Sequence, residues 1–300
     1  GSEVITPNVD ALAARGLRFT RAFPEAMVTV PARRSIFTSR RIFPYRDFVP
    51  NLELGRSPGW LPIENLERTF TSELRRRGYW VSQISDNPFT AFTKAYDPFR
   101  KSFSDWKTIV GQSGYYRSPD TIPLQTVYDW LPPFLRDDRY IPGMRKYLAN
   151  TGAGVDEEQT CAARVFKRAT GMLKDARLRQ PFCMVVDSFD PHEPWSPPPQ
   201  YVDIYKDPDY EGPNIGVTKY GFARNFTPEL LRRLHAAYAG EVTMMDHWLG
   251  QFMERFHELG VHEIREQCAD LPAGQCRRGM HSDDPATAHA EQPEQPRRRG

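Results

Sequence analysis

Residues 27–35, with the sequence MVTVPARRS, place a hydroxyl side chain, a proline and an arginine at a spacing that could do chemistry. Pro31 suits the first position of a helix, where its missing N–H costs nothing, so we predict a helix over residues 31–40. Thr29 then lies just ahead of this helix, where free N–H groups and the positive dipole end favour an anion. Arg33 can return over the same turn and clamp a tetrahedral oxyanion. The turn therefore predicts a site for phosphate or sulfate esters.

A threonine ahead of a helix is, on its own, more often a simple cap than a nucleophile. Three further segments bear on this choice: TPNVDALAARGLRFT at 6–20, DSFDPHEPW at 187–195, and YAGEV at 238–242 followed by Asp246. Together with residues 27–35, and in this order, they resemble the sulfatase family of the alkaline phosphatase superfamily over about residues 4–260. The resemblance implies an α/β fold, a three-layer sandwich with a mostly parallel central sheet, incomplete in this chain.

The resemblance also implies roles for the residues of the turn. Sulfatases carry, at the position of Thr29, a Cys or Ser that is oxidised to formylglycine, and threonine cannot give that aldehyde by the same oxidation. A metal-bound threonine alkoxide is nevertheless a competent nucleophile towards phosphorus. We therefore expect cleavage of phosphodiester or phosphonate esters in preference to sulfate esters, with a relic at a dead site as the alternative. Arg33 would hold the transferred group and orient Thr29.

Polar residues that follow the predicted strands complete the candidate site. His192 matches the family histidine that contacts the ester oxygens and assists the leaving group, and its pKa range suits that work. Asp86 and Asn87 stand where many sulfatases have a Lys-x-His pattern, so this chain lacks two cationic contacts there. We expect Asp86, Asn87 and Asp190 to take part in substrate binding, with Asp190 orienting its loop.

The metal site is the main departure from the family. Sulfatases bind a divalent cation (Ca, Mn, Zn or Mg) through two adjacent acidic residues after the first strand and an Asp-His or Asp-Asn pair after a long helix. This chain begins at Gly1, after the place of the first pair, and residues 261–300 replace the second. Thr29 would be the only family metal ligand present, and His281 near Asp283 has no strand before it. We therefore expect no bound metal and little or no activity, in a chain truncated at both ends.

Helix and strand signals alternate as an α/β sheet requires. Helix signals occur after Thr6, from Thr69 or Thr71 to Gly78, over 156–175, and from Thr227 to Gly260. Apolar runs at 79–84 and 182–186 predict parallel strands that are buried on both faces, with a ligand site beyond their carboxyl ends. Residues 90–155 have little periodicity and predict an insertion that shapes the substrate entrance. The predicted catalytic domain thus covers residues 1–260.

Composition narrows the partners of the chain. The 300 residues carry a net charge of +2, from 40 basic and 38 acidic residues. This near-neutral charge does not indicate a basic surface for binding nucleic acid. No apolar stretch reaches the length of a membrane span. The resemblance to sulfatases implies a small-molecule sulfate or phosphate ester as partner. Cys161, Cys183, Cys268 and Cys276 show neither zinc spacing nor a disulfide framework, and Cys183 is predicted to be a core thiol. The compartment stays open, with a weak preference for the cytoplasm.

The last forty residues differ from the rest in composition. They contain no Phe, Tyr or Trp and are rich in Pro, Gln, Arg and His, so they have little apolar surface to bury. We interpret residues 261–300 as a disordered or out-of-frame tail. Two alternatives to an enzyme follow: a non-catalytic protein that binds anions or acts as a scaffold, and a gene fragment without a function of its own.

Overall fold

The computed structural model describes residues 4–44, 59–110, 117–151, 156–217 and 223–261. The α-helices in these ranges are Pro7–Arg15 (α1), Thr29–Thr38 (α2), Phe70–Arg76 (α3), Asp97–Lys101 (α4), Leu124–Trp130 (α5), Tyr140–Thr151 (α6), Cys161–Arg177 (α7), Pro199–Val202 (α8) and Pro228–Glu258 (α9). The strands are Trp80–Ser85 (β1), Asp105–Thr108 (β2) and Phe182–Asp187 (β3). Single turns of 3-10 or π geometry occur at Leu66–Arg68, Pro88–Phe92, Lys94–Tyr96, Pro119–Thr121, Pro133–Leu135, Glu157–Gln159 and Ala223–Asn225.

The three strands form a parallel sheet in the order β2–β1–β3. Trp80 pairs with Phe182 and Ser85 pairs with Asp187, so β1 and β3 end at the same level. The predicted strands at 79–84 and 182–186 are confirmed to within one residue. β2 lies inside residues 90–155, where we predicted an insertion and no strand, because four mixed residues are too few to show periodicity.

Helices cover both faces of this sheet. On one face, Val81 of β1 packs in an apolar cluster with Val30 and Phe37 of α2. On the other face, Ile84 of β1 packs against Val165 and other residues of α7, and α7 packs in turn against α9. Side chains alternate along a strand, so β1 residues 81, 83 and 85 face α2, and residues 80, 82 and 84 face α7. The described residues thus form the expected three-layer α/β arrangement.

Helix α2 begins two residues earlier than we predicted. Its first residue is Thr29, and Val28 precedes it with φ at 47°. The Ala32 N–H donates to the Val28 carbonyl at 3.0 Å, which closes the first turn. The expectation that Pro31 opens the helix and that Thr29 lies ahead of it is therefore wrong. Pro31 is the third residue of the helix, a position that a first turn tolerates because its N–H has no intrahelical partner.

Helix α1 is held at its start by a residue of α9. Thr6 makes no side-chain cap. The Asp246 carboxylate instead accepts hydrogen bonds from the Asn8 N–H at 3.0 Å and the Val9 N–H at 2.7 Å, and the Asn8 side-chain amide donates to it at 2.9 Å. A carboxylate at this position satisfies free amides and complements the helix dipole.

Threonine caps begin three other helices, and two of these were expected. Thr69 accepts from the Ser72 N–H at 3.2 Å and Thr227 from the Leu230 N–H at 3.3 Å; Thr160 does the same for the N–H of Ala163 at 3.3 Å. No helix in the described ranges combines the length and hydropathy needed to cross a bilayer. The predicted tail lies outside the described residues beyond Val261.

Candidate active site

The start of α2 carries the predicted nucleophile. Thr29 is half-buried, while the neighbouring Val30 and Pro31 are buried and hold the turn against the core. Among the described residues the Thr29 hydroxyl has no hydrogen-bond partner. The N–H groups of Thr29 and Val30 lie in the first turn, where helical geometry leaves amides unused. Val28 has a positive φ, which is rare for a β-branched residue and concentrates at functional sites.

Arg33 returns over this turn, as its spacing predicted. Its Nη1 donates to the Thr29 carbonyl at 3.2 Å. The same guanidinium forms a two-pronged ion pair with Asp187 at the end of β3, through Nη2 to Oδ1 and through Nε to Oδ2 at 3.1 Å. Arg33 is thus fixed by the sheet, and its charge is shared with a carboxylate.

Asp187 is the centre of a small polar group on the α2 side of the sheet. Besides Arg33, its Oδ2 accepts from the Ser85 hydroxyl at 3.0 Å, and the Gln83 amide lies at 3.5 Å. Gln83 and Ser85 alternate along β1 on the face that meets α2, which explains how the three strand residues converge. This group gives the Arg33 guanidinium a fixed place at the carboxyl end of the sheet.

His192 lies in the loop that follows β3. Its N–H donates to the Phe189 carbonyl at 3.0 Å, and its ring stacks on Phe189 with centroids 4.2 Å apart. The Nδ1 atom lies 2.7 Å from the Glu193 carbonyl oxygen and 3.4 Å from the Glu193 carboxylate. The tautomer with the proton on Nδ1 fits this contact and makes Nε2 the basic nitrogen. The His192 side chain is 39% exposed, so it can contact a ligand that arrives from solvent.

The three predicted substrate-binding residues are buried. Asp86 and Asn87 have no exposed surface and Asp190 is 5% exposed. The side-chain Oδ1 of Asn87 accepts from the N–H groups of the following turn, and Asp190 accepts from the Ala162 N–H at 2.9 Å. Asp86 accepts from the Phe189 N–H at 2.7 Å, and burial, followed by the charge of Asp190, raises the pKa of Asp86. Their contact with substrate stays a prediction that this geometry does not support.

Comparison with known proteins decides the family. The profile described as Sulfatase matches residues 1–263. The chain belongs to the sulfatase family. It is 25% identical over 290 residues to an arylsulfatase of Clostridium perfringens, covering 87% of this chain and 56% of that protein. It is 22% identical over 273 residues to a choline-sulfatase of Rhizobium meliloti, covering 83% of this chain and 48% of that protein.

Solved structures show the same fold. The phosphonate monoester hydrolase of Agrobacterium radiobacter superposes with a TM-score of 0.54 at 20% identity, covering 86% of this chain and 55% of that one. A structure described as Ps i-CgsB superposes with a TM-score of 0.52 at 17% identity, covering 86% of this chain and 50% of that one. The chain spans about half the length of the curated relatives it matches.

The sulfatase family generally uses a divalent metal, and such an ion beside Thr29 would need ligating side chains close to that residue. Within the described ranges, the only group of three or more close ligating side chains is Asp86, Cys161 and Asp190. Asp86 directly follows Ser85 and contacts the loop after β3, whereas Thr29 belongs to α2 on the other side of the sheet. The described residues therefore do not form a carboxylate cradle at Thr29, and no catalytic step is assigned to a metal there.

Sequence reasoning missed Asp187 as the partner of Arg33. A signal was present, because Asp187 directly follows the apolar run 182–186 and alternation places it on the same face as Cys183 and Val185. It also missed Cys161 and Glu241 as neighbours of Asp86 and Asp190. No spacing in the sequence connects these residues, because they come from separate helices and loops.

Proposed function

We propose that this sulfatase-family protein, contrary to the inactivity expected from its sequence, hydrolyses small phosphodiester or phosphonate esters, and more slowly sulfate esters, with Thr29 as the nucleophile. One observation carries the proposal: Thr29 is half-buried, its hydroxyl has no hydrogen-bond partner among the described residues, and it lies on a strained first turn beside Arg33. A threonine oxygen forms stable bonds to phosphorus but cannot supply the aldehyde chemistry of a formylglycine.

The reaction would proceed in two steps through a covalent intermediate on Thr29. Thr29 Oγ bonds to phosphorus while the ester oxygen leaves, and the hydroxyl proton ends on the departing alcohol. Water then bonds to phosphorus, the bond to Oγ breaks, and the hydroxyl of Thr29 is restored. The Arg33 guanidinium supports the equatorial oxygens, and His192 Nε2 is suited to carry the proton between the two alcohol oxygens.

The test uses the full chain with added divalent metal and three chromogenic esters: p-nitrophenyl phenylphosphonate, bis(p-nitrophenyl) phosphate and p-nitrophenyl sulfate. We expect turnover of the two phosphorus esters to exceed that of the sulfate ester. Thr29→Ala should lower the rate by at least ~10³-fold, and Thr29→Ser should keep part of it. Thr38→Ala is the matched control, because the Thr38 hydroxyl is on the same helix and donates to the Arg34 carbonyl at 2.6 Å.

Mass spectrometry of the peptide that contains Thr29 sharpens this test. A phosphonyl or phosphoryl adduct on Thr29 during turnover supports the proposal. A Thr29→Ala variant that turns over at the rate of the unmodified protein overturns it.

A second candidate, anion binding without turnover, is favoured by the first-turn N–H groups of α2 beside Arg33 and by the lack of a carboxylate cradle at Thr29 in the described ranges. Calorimetry with inorganic sulfate and phosphate tests it. Binding that Arg33→Ala removes and Thr29→Ala leaves intact, in a chain that turns over none of the three esters, establishes this alternative and excludes hydrolysis.

A further inference from the structure

A group of acidic and thiol side chains meets on the α7 side of the sheet, away from the proposed nucleophile. Asp86, Cys161 and Asp190 each offer one ligand atom, and these atoms all lie within 4.8 Å of one another. The residues come from three separate places: the position after β1, the first residue of α7, and the loop after β3. All three are buried, with exposures of 0%, 3% and 5%.

The backbone satisfies only part of this charge. Asp190 Oδ2 accepts from the Ala162 N–H at the start of α7, where the helix dipole also favours an anion. Asp86 Oδ1 accepts from the Phe189 N–H. Asp86 Oδ2, by contrast, is buried and has no hydrogen-bond partner, and Asp86 forms no salt bridge with any described residue. A buried carboxylate oxygen without a partner is strongly unfavourable.

Glu241 of α9 is a second, independent indication of a ligand. It is 3% exposed, and its Oε2 is buried without a partner among the described residues. Burial, and then the charge of Asp190, raises the pKa of Glu241. Burial also raises the pKa of the Cys161 thiol, with smaller contributions from Asp190, Asp86 and Glu241. Four acidic or thiol side chains therefore share one interior region, and two of them present oxygen atoms that nothing in the described protein satisfies.

We propose that Asp86, Cys161 and Asp190 bind a divalent metal ion, for which Zn²⁺ is the best match, with Glu241 as an additional carboxylate beside the triad. Beside the Arg164 guanidinium, which acts electrostatically on Cys161, a dication adds the positive charge that three carboxylates and a thiolate require, and Asp86 Oδ2 gains the partner that it lacks. The Cys161 thiol loses its proton to solvent when the ion binds. A thiolate among carboxylates favours Zn²⁺ over Mg²⁺ and Ca²⁺, which prefer oxygen ligands alone.

The spacing of the ligand atoms is compatible with this ion. Zinc takes sulfur at about 2.3 Å and carboxylate oxygen at about 2.0–2.2 Å, so its ligand atoms lie about 3.3–3.6 Å apart. The ligand atoms now lie within 4.8 Å of one another, so side-chain rotations that move them by less than about 1.5 Å bring them to that spacing. The ion would connect the end of β1, the start of α7 and the loop that carries His192. The zinc ligands are different residues from those proposed to carry the hydrolysis, so zinc binding can be measured without any ester substrate.

The test measures zinc binding directly. The full chain, carrying Cys268→Ser and Cys276→Ser so that only Cys161 and Cys183 remain, is stripped with a chelator and titrated with Zn²⁺ against a chromophoric competitor. We expect one tight equivalent per chain. Cys161→Ser and Asp86→Asn should each weaken binding at least tenfold. Cys183→Ser is the matched control, because this half-buried thiol lies on β3 outside the cluster, and it should bind as before.

Cobalt supplies a readout that identifies the ligand. Replacement of zinc by Co²⁺ should give a near-ultraviolet thiolate-to-cobalt absorption that Cys161→Ser removes and that Cys183→Ser and His281→Ala retain. Circular dichroism of each metal-free variant confirms that it is folded, and Glu241→Gln offers a milder change at the same place. The proposal is overturned if the stripped protein binds no zinc, or if Cys161→Ser binds zinc and gives the cobalt absorption unchanged.

Discussion

At the carboxyl end of the sheet, acidic residues on the two faces differ in whether a cation pairs with them. On the α2 side, Asp187 is paired with Arg33 and receives a further hydrogen bond from Ser85. On the α7 side, one residue further along β1, Asp86 shares a buried space with Asp190 and Glu241, and no described cation pairs with Asp86 or Glu241. Because side chains alternate along a strand, neighbouring acidic residues at the end of the sheet lie on opposite faces. On the α2 face (the balanced group) the carboxylate has a cation as its partner, and on the α7 face (the unbalanced group) Asp86 and Glu241 have none among the described residues. The unbalanced group is the one that needs a ligand.

The largest expected effect comes from breaking the balanced side with Asp187→Ala. This leaves the Arg33 guanidinium, 20% exposed on its side chain, without its carboxylate. We expect the free energy of unfolding to fall by about 2–4 kcal/mol, below the full value for a buried pair because solvent reaches part of it. Urea unfolding measures the change.

Asp105→Ala is the control for that variant, because it removes an ion pair with Lys107 in which both side chains are about one-third exposed. It should cost less than about 1 kcal/mol. If Asp187→Ala and Asp105→Ala lower the free energy of unfolding equally, the Arg33–Asp187 ion pair contributes no more than a surface ion pair.

On the unbalanced side, Glu241→Gln should act in the opposite direction when metal is absent. In chelator-treated protein, a neutral amide removes a buried carboxylate without a cation, so we expect stability to rise by about 1–2 kcal/mol. With Zn²⁺ added, the variant should be stabilised less than the unmodified chain. Glu254→Gln, on the exposed face of the same helix, should change neither value. A loss of stability in both conditions would contradict the comparison.

Relief of strain at the start of α2 should have a smaller effect. Val28 has φ at 47°, which glycine adopts without a steric penalty. Val28→Gly should therefore raise stability by about 1 kcal/mol, as measured by thermal unfolding, and lower the activity that depends on Thr29 if the strain holds the hydroxyl in place. Val9→Gly, in the regular helix α1, should instead lower stability by a few tenths of a kcal/mol.

The smallest effect is expected at Tyr96, which lies behind the α2 turn. Its hydroxyl is buried without a partner among the described residues, so Tyr96→Phe should raise stability by about 0.5–1 kcal/mol. Tyr147→Phe is the counterpart on the acidic side. It should lower stability by about 1 kcal/mol, because the Tyr147 hydroxyl contacts Ser196 Oγ at 2.8 Å.

Tyr96 also makes the stability of the protein depend on pH, and the sign of this dependence follows from its pKa. Burial, partly offset by Arg34 and Arg33, raises the pKa of Tyr96 above its ordinary value of 10.0. Above that pH the unfolded chain has released a proton that the folded chain still holds, so stability falls as pH rises. Tyr96→Phe should make this fall shallower between about pH 10 and 11. If the free energy of unfolding, measured with urea, falls equally steeply with pH in both proteins, then folding does not raise the pKa of Tyr96.

Local signals in the sequence predicted most of the elements that build the fold. Thr69 and Thr227 begin helices through their side chains, and the apolar runs at 79–84 and 182–186 form adjacent parallel strands. These features depend on residues within a few positions of one another, where capping and alternation act. The short-range relation of Arg33 to the Thr29 turn was predictable for the same reason.

The remainder of the site depends on tertiary contacts that no spacing reveals. Asp86 and Asp190 were expected to face a ligand in solvent because they follow strand ends, yet the start of α7 covers them. Cys161 looked like an isolated cysteine, since its neighbours come from segments that the fold alone brings together. The helix start was misplaced by two residues because the positive φ of Val28 is a property of the folded backbone.

The carboxylate of Asp246 at the start of α1 has a consequence for the order of folding during synthesis. The amides of Asn8 and Val9 leave the ribosome more than two hundred residues before Asp246 does, with sequence separations of 238 and 237. At about 5–20 residues per second, α1 must wait roughly 10–50 s for its partner. Its nascent segment is therefore exposed to chaperones and proteases until α9 is made.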